Sequence, residues 1–182
     1  MEDFKNLHLS NQLCFALYSA THEVTKSYRK HLSEIGLTYP QYLVMLVLWQ
    51  YKDQSVDKLR DRLNFVPSTL APILKRLESA EFITRKIDDK VHGQEIISLT
   101  SRGKEIQQQT SKIQQQVSCD TGLTEQEYTD LKDRLESMLQ NFKLDLKRKQ
   151  LDLVASLATR SKQPKTTRHV KALYTSKHGN SN

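Results

Sequence analysis

Cysteine is scarce in this chain. Only Cys14 and Cys119 occur, 105 positions apart, which matches neither a secreted disulfide framework nor a zinc site. Long apolar runs are missing too. The longest, Tyr42 to Trp49, is far too short to span a membrane. The opening Met1-Glu2-Asp3-Phe4 is acidic and has no apolar h-region, so no secretory leader is expected. There is no Cys-x-x-Cys, no nucleotide-binding loop, and no Ser/His/Asp arrangement with a definable role. These absences argue against an enzyme, a thiol peroxidase included, and against a bound cofactor or metal. A reducing cytoplasm is the simplest compartment.

What is present reads as a helix-rich soluble protein. Apolar residues make up 37% of the 182 positions and charged residues 27%, enough for one modest core and an appendage. The net charge is +7, but it is unevenly placed. From Lys147 onward nine Lys/Arg face one acid, Asp152. The first 146 residues are therefore nearly neutral, and a high pI alone would overstate the case for a basic DNA-binding face.

Apolar spacing at Leu13, Leu17, Ala20, Val24 and Leu32 predicts a first helix over about 10–32, ended by Gly36. Pro40 opens a second, Gln41 to Tyr51, apolar on nearly all sides and so buried. Ser55 caps a short third helix with Val56, Leu59 and Leu63. Pro67 starts a fourth, with Leu70, Ile73, Leu74 and Leu77 inward and Ser68, Thr69, Lys75 and Arg76 outward. Phe82 to Ile87 and Glu95 to Leu99 are short and β-branched around a polar turn with Gly93, which predicts a two-stranded wing. Thr100 caps a glutamine-rich helix with Ile106, Ile113 and Val117. A loop holding Cys119 and Gly122 follows. Thr124-Glu125-Gln126-Glu127 is a capping box that opens a last helix with Leu131, Leu135, Met138, Leu139 and Phe142. Beyond about 158 the chain is polar and basic and expected to be disordered. The expected division is a domain over 1–158 and a basic tail over 159–182.

The fold class is mainly α with a small β-wing, a winged helix-turn-helix. Its fourth helix is the one free to enter a major groove. Ser68 and Thr69 can reach bases or phosphates; Lys75 and Arg76 can meet the backbone. The alternative is an ordinary amphipathic helix with solvated charges. Cys14 has two readings as well. Tyr18 lies one helical turn on, and a phenolic hydroxyl there can donate to a thiolate, the form that peroxides oxidise. Most such cysteines, however, are inert packing residues.

The order of motifs resembles the MarR family, and its organic-hydroperoxide-sensing branch in particular. The residues are Asn11-Gln12-Leu13-Cys14-Phe15, Tyr18, Thr25-Lys26, Tyr28 and Thr38-Tyr39-Pro40-Gln41-Tyr42-Leu43. Further on come Thr69-Leu70, Pro72, Leu74-Lys75-Arg76-Leu77-Glu78, Ile83-Thr84-Arg85-Lys86 and Ile97-Ser98-Leu99-Thr100. The resemblance spans about 11–142. It implies a homodimer, built from the first and last helices, on palindromic double-stranded operator DNA. It also implies a redox site in which Cys14 is the peroxidatic cysteine, with Tyr28 and Tyr39 bonding it across the dimer and Tyr18 as a third tyrosine. Cys119 resembles the resolving cysteine of some members. Pro72 and Arg85 fall among the DNA-binding matches. The family's Asp-x-Arg wing motif is replaced by Val91 and Gly93, so Lys90 or His92 is left to substitute.

These features lead to a redox-sensing repressor, with an organic hydroperoxide as effector. Two other functions compete: a repressor released by a small apolar or phenolic ligand, and a protein-interaction module that kept the fold but lost DNA.

Overall fold

The computed structural model describes residues 4–88 and 93–161, the last eight as helix backbone only. Its contacts divide the chain into 1–128 and 129–182. Two 3-10 turns, Phe4–Leu7 and Leu9–Asn11, precede α1 (Leu13–Ser33). The first helix therefore starts three residues later than its apolar spacing predicts. Then come α2 (Tyr39–Tyr51), β1 (Gln54–Ser55), α3 (Val56–Leu63), α4 (Pro67–Ser79), β2 (Ile83–Asp88), β3 (Gln94–Leu99), α5 (Ser101–Asp120) and α6 (Glu125–Ser161).

The helix starts follow their caps. Both the backbone N–H and the hydroxyl of Thr38 donate to Gln41 Oε1, at 2.8 and 2.9 Å, which closes a capping box with Pro40 in the first turn. Ser55 accepts from Lys58 N–H at 3.3 Å and Thr100 from Gly103 N–H at 3.0 Å. Thr124 and Glu127 bond each other reciprocally at the head of α6. Those bonds to Thr124 hold the Glu127 carboxyl below its usual range.

Most of the expected inward residues are inward. Leu70, Leu74 and Leu77 of α4 are fully buried, each contributing about 1.5–3 kcal/mol by leaving water. Ile106, Ile113 and Val117 bury the stripe of α5. In α2, Tyr42, Val44, Met45, Val47 and Leu48 are buried, while Leu46 and Tyr51 remain exposed.

Three expectations need correction. The sheet has three strands, not two: β3 lies between β1 and β2, all antiparallel, with Gln54 opposite Ile97 and Arg85 opposite Ile97 on the other side. Cys119 is in the last turn of α5, not in a loop; the turn proper begins at Thr121, with Gly122 at φ 70°. The last helix runs on to Ser161, past the boundary expected at 158. The tail over 162–182 and wing residues Lys90, Val91 and His92 lie outside the described residues.

Gly103 fixes the joint between α5 and the wing. A Cβ there would sit 2.0 Å from the Phe82 carbonyl oxygen, and the Gly103 carbonyl accepts from Trp49 Nε1 at 2.8 Å. Only glycine allows this approach.

Candidate functional site

Cys14 is a free, exposed thiol in the first turn of α1. Apolar side chains surround it in sequence, and they too are bare: Phe4, Leu7, Leu9, Leu13 and Phe15 are all 43% or more exposed. Tyr18 stands one turn on but is 70% exposed. Among the described residues of one chain, no hydrogen bond joins it to Cys14. The Cys14–Tyr18 hydrogen bond open to helical spacing does not form within one chain, where Tyr18 is largely exposed.

Tyr28 and Tyr39 do come together, far from Cys14. Fourteen residues of helix separate Cys14 from Tyr28, about 21 Å at 1.5 Å per residue. The Tyr28 and Tyr39 ring centroids are 5.0 Å apart, and buried Tyr42 lies 5.5 Å from Tyr28 and 6.5 Å from Tyr39. Trp49 meets Tyr42 edge-on at 6.3 Å. Burial pushes the phenol of Tyr28 well above its ordinary pKa of 10, and repulsion from Tyr42, Tyr39 and Tyr128 adds to this. Tyr39 and Tyr42 are raised by burial as well. All three phenols are thus held neutral, with an O–H to donate. Tyr42, Tyr128 and Trp49 were not singled out for this cluster. Tyr42 follows Tyr39 by three residues, close enough to share a helix face; Tyr128 carries no local signal.

The second region is the outer face of α4. Ser68, Thr69, Pro72, Lys75 and Arg76 are all exposed there. Pro72 lies inside the helix and has no N–H, so the carbonyl four residues back, on Ser68, keeps a free acceptor beside its own hydroxyl. Val66, the N-cap residue, supplies no side-chain acceptor, but Pro67 has no N–H and the Thr69 and Leu70 N–H groups already donate to the Val66 carbonyl at 3.0 and 3.1 Å. Arg85, by contrast, is occupied. It pairs with Glu95 across the hairpin at 2.5 Å and with Glu78 of α4 at 3.9 Å. The Glu95 hydrogen bond raises its pKa despite partial burial. It ties the wing to α4 rather than offering a free cation. No cluster of three or more His, Cys, Asp or Glu suited to a metal ion occurs among the described residues, and none of their helices is long and apolar enough to cross a membrane.

A family model described as the MarR family matches residues 37–90, from the start of α2 into the wing. The organic hydroperoxide resistance transcriptional regulator of Bacillus subtilis is 38% identical over 129 residues, 71% of this chain and 86% of that one. This chain belongs to the MarR family. Among solved structures, reduced AbfR bound to DNA, from Staphylococcus epidermidis, matches with a TM-score of 0.63 and 34% identity over 76% of this chain and 94% of that one. AbfR with a disulfide formed matches less closely, at a TM-score of 0.54 and 31% identity over 72% and 92%. The MarR-family fold of helices and a three-stranded wing is thus shared with relatives solved in different redox states. The chain is a transcriptional regulator of MarR type with redox-sensing relatives.

Proposed function

We propose that this protein is a repressor that binds operator DNA as a homodimer and leaves it when an organic hydroperoxide oxidises Cys14. The observation that carries the reading is the separation of the thiol from its phenols. Cys14 stands among bare apolar residues at one end of α1, while Tyr28 lies about 21 Å along the same helix, where Tyr39 at the head of α2 packs against it. A second copy, packed through the exposed ends of α1 and the exposed leucines of α6, brings Tyr28 and Tyr39 of one protomer to Cys14 of the other. Neutral phenols donate to the thiolate and favour the charged, nucleophilic form. Tyr18, one turn from Cys14, turns inward when that interface closes.

The reaction is a single oxidation, not a catalytic cycle. The Cys14 thiolate attacks the peroxide; with one proton it yields a sulfenic acid and the alcohol. Cys119 then condenses with it, releasing water. Movement of α1 and α5 at the interface re-aims the two α4 helices and frees the DNA. On DNA, Ser68, Thr69 and Pro72 face base edges, while Lys75 and Arg76 meet phosphates. Lys90 and His92 remain candidates for the wing contact. The names of the relatives, a hydroperoxide resistance regulator and a DNA-bound reduced AbfR, support the same reading.

One observation favours a ligand-released repressor instead. A groove of about 440 Å³ is lined by Thr38, Pro40, Gln41, Thr69, Pro72, Ile73 and Arg76, so an occupant would touch α4 directly. Peptide mass spectrometry separates the two. After one equivalent of cumene hydroperoxide, DNA release should coincide with oxygen addition or a disulfide at Cys14. Release by a phenol with Cys14 unmodified, and none by hydroperoxide, would establish the ligand reading.

A further inference from the structure

Asp120 ends α5, and side chains of α1 hold its carboxylate. Ser27 Oγ donates to Asp120 Oδ2 at 2.5 Å. His31 Nε2 lies 3.9 Å from the same oxygen; it is buried and has no hydrogen-bond partner. Ser27 and His31 are four residues apart and share one face of α1. Gln116 also bonds the carboxylate, and Lys30 attracts it. An acid at a helix C-terminus opposes the macrodipole; the partners from α1, with Gln116 of α5 itself, offset that cost. Led by the Ser27 hydrogen bond, they hold its pKa below the usual range.

Cys119 is the residue before Asp120. It is exposed and free, and the backbone swivels just beyond it at Gly122, φ 70°. The attachment of Asp120 to α1 therefore also fixes the backbone of Cys119. We propose that Ser27 and Asp120 form a clasp that restrains Cys119 and sets how fast it reaches the sulfenic acid on Cys14 of the partner subunit. They are positioning residues; neither touches the reacting sulfurs. The inference rests on the redox reading above.

In the step concerned, the Cys119 sulfur attacks the Cys14 sulfur. An S–S bond forms, the S–O bond breaks, and the leaving hydroxide takes the Cys119 thiol proton as water. A disulfide demands Cα atoms about 4.4–6.8 Å apart and a dihedral near 90°. The last turn of α5 must adjust to meet that geometry, and any such adjustment loads the Ser27–Asp120 bond. Opening the clasp is a local event confined to one helical turn.

The test uses the full-length protein and one equivalent of cumene hydroperoxide. Sulfenic acid on Cys14 is trapped with dimedone and quantified by mass spectrometry; covalent dimer is followed on non-reducing gels. Ser27→Ala and Asp120→Ala should leave the rate of sulfenic acid formation unchanged. Covalent dimer should appear about 3- to 10-fold faster, as expected for losing one partly exposed hydrogen bond to a charged group. Ser27→Thr, which keeps the hydroxyl, should restore the parental rate. An unchanged or slower disulfide step in both variants overturns the clasp. Sulfenic acid on Cys14 with no covalent dimer through Cys119 in the parent overturns it alone, and no oxidation of Cys14 overturns the redox reading with it.

Discussion

A methyl group on Gly103 would lie 2.0 Å from the Phe82 carbonyl oxygen. Gly103→Ala should therefore lower stability by about 1–3 kcal/mol, read as a lower denaturant midpoint at unchanged slope. A midpoint within error of the parent would show that α5 can slide. The tyrosines give a second residue-scale test. Burial raises Tyr28, Tyr39 and Tyr42 above 10 in the folded state. Above pH 10 the native state then binds more protons than the unfolded one, so stability is intact below pH 10 and falls as pH rises beyond it. Tyr28→Phe should flatten that fall, followed by denaturant midpoints from pH 9 to 11.5. An equally steep fall in the variant would mean that Tyr28 ionises freely in the native state.

At the scale of elements, the reading helix makes the sharpest claim. Ser68→Ala and Arg76→Ala alter only exposed positions of α4. They should weaken operator binding, Ser68→Ala by about 1–3 kcal/mol if it meets a base edge and Arg76→Ala with a lower salt slope. Thermal midpoints should barely move. Parental affinity in both variants would exclude α4 as the reader. The helices themselves were legible because their signals are local. Leu70, Leu74 and Leu77 repeat at helical spacing, and Ser55, Thr100 and Thr124 are good caps. The strand at Gln54–Ser55 was not, since two residues show no alternation and Ser55 doubles as a cap. The helical position of Cys119 was hidden because the apolar stripe stops at Val117 and Ser118-Cys119-Asp120 is polar. Arg85 falls among the DNA-binding matches, and its pairing with Glu95 depends on the hairpin; the Ser27–Asp120 bond joins residues 93 positions apart. Contacts of that kind follow from packing and leave no periodic trace.

For the whole molecule, charge and assembly decide function. Residues 162–182 carry Lys162, Lys165, Arg168, Lys171 and Lys177 and no acid. Removing them should make the salt dependence of DNA binding shallower, by about 0.9 in slope for each cation that meets a phosphate. An unchanged slope would show that the tail stays off the DNA. The central claim concerns the dimer and its thiol, and the most direct test is one measurement. Fluorescence anisotropy of labelled DNA from upstream of the protein's own gene is followed as cumene hydroperoxide is added to the bound complex. The parent should release the DNA, while Cys14→Ser, bound with parental affinity, should stay on it at the same dose. Release of Cys14→Ser at the parent's dose would contradict the account.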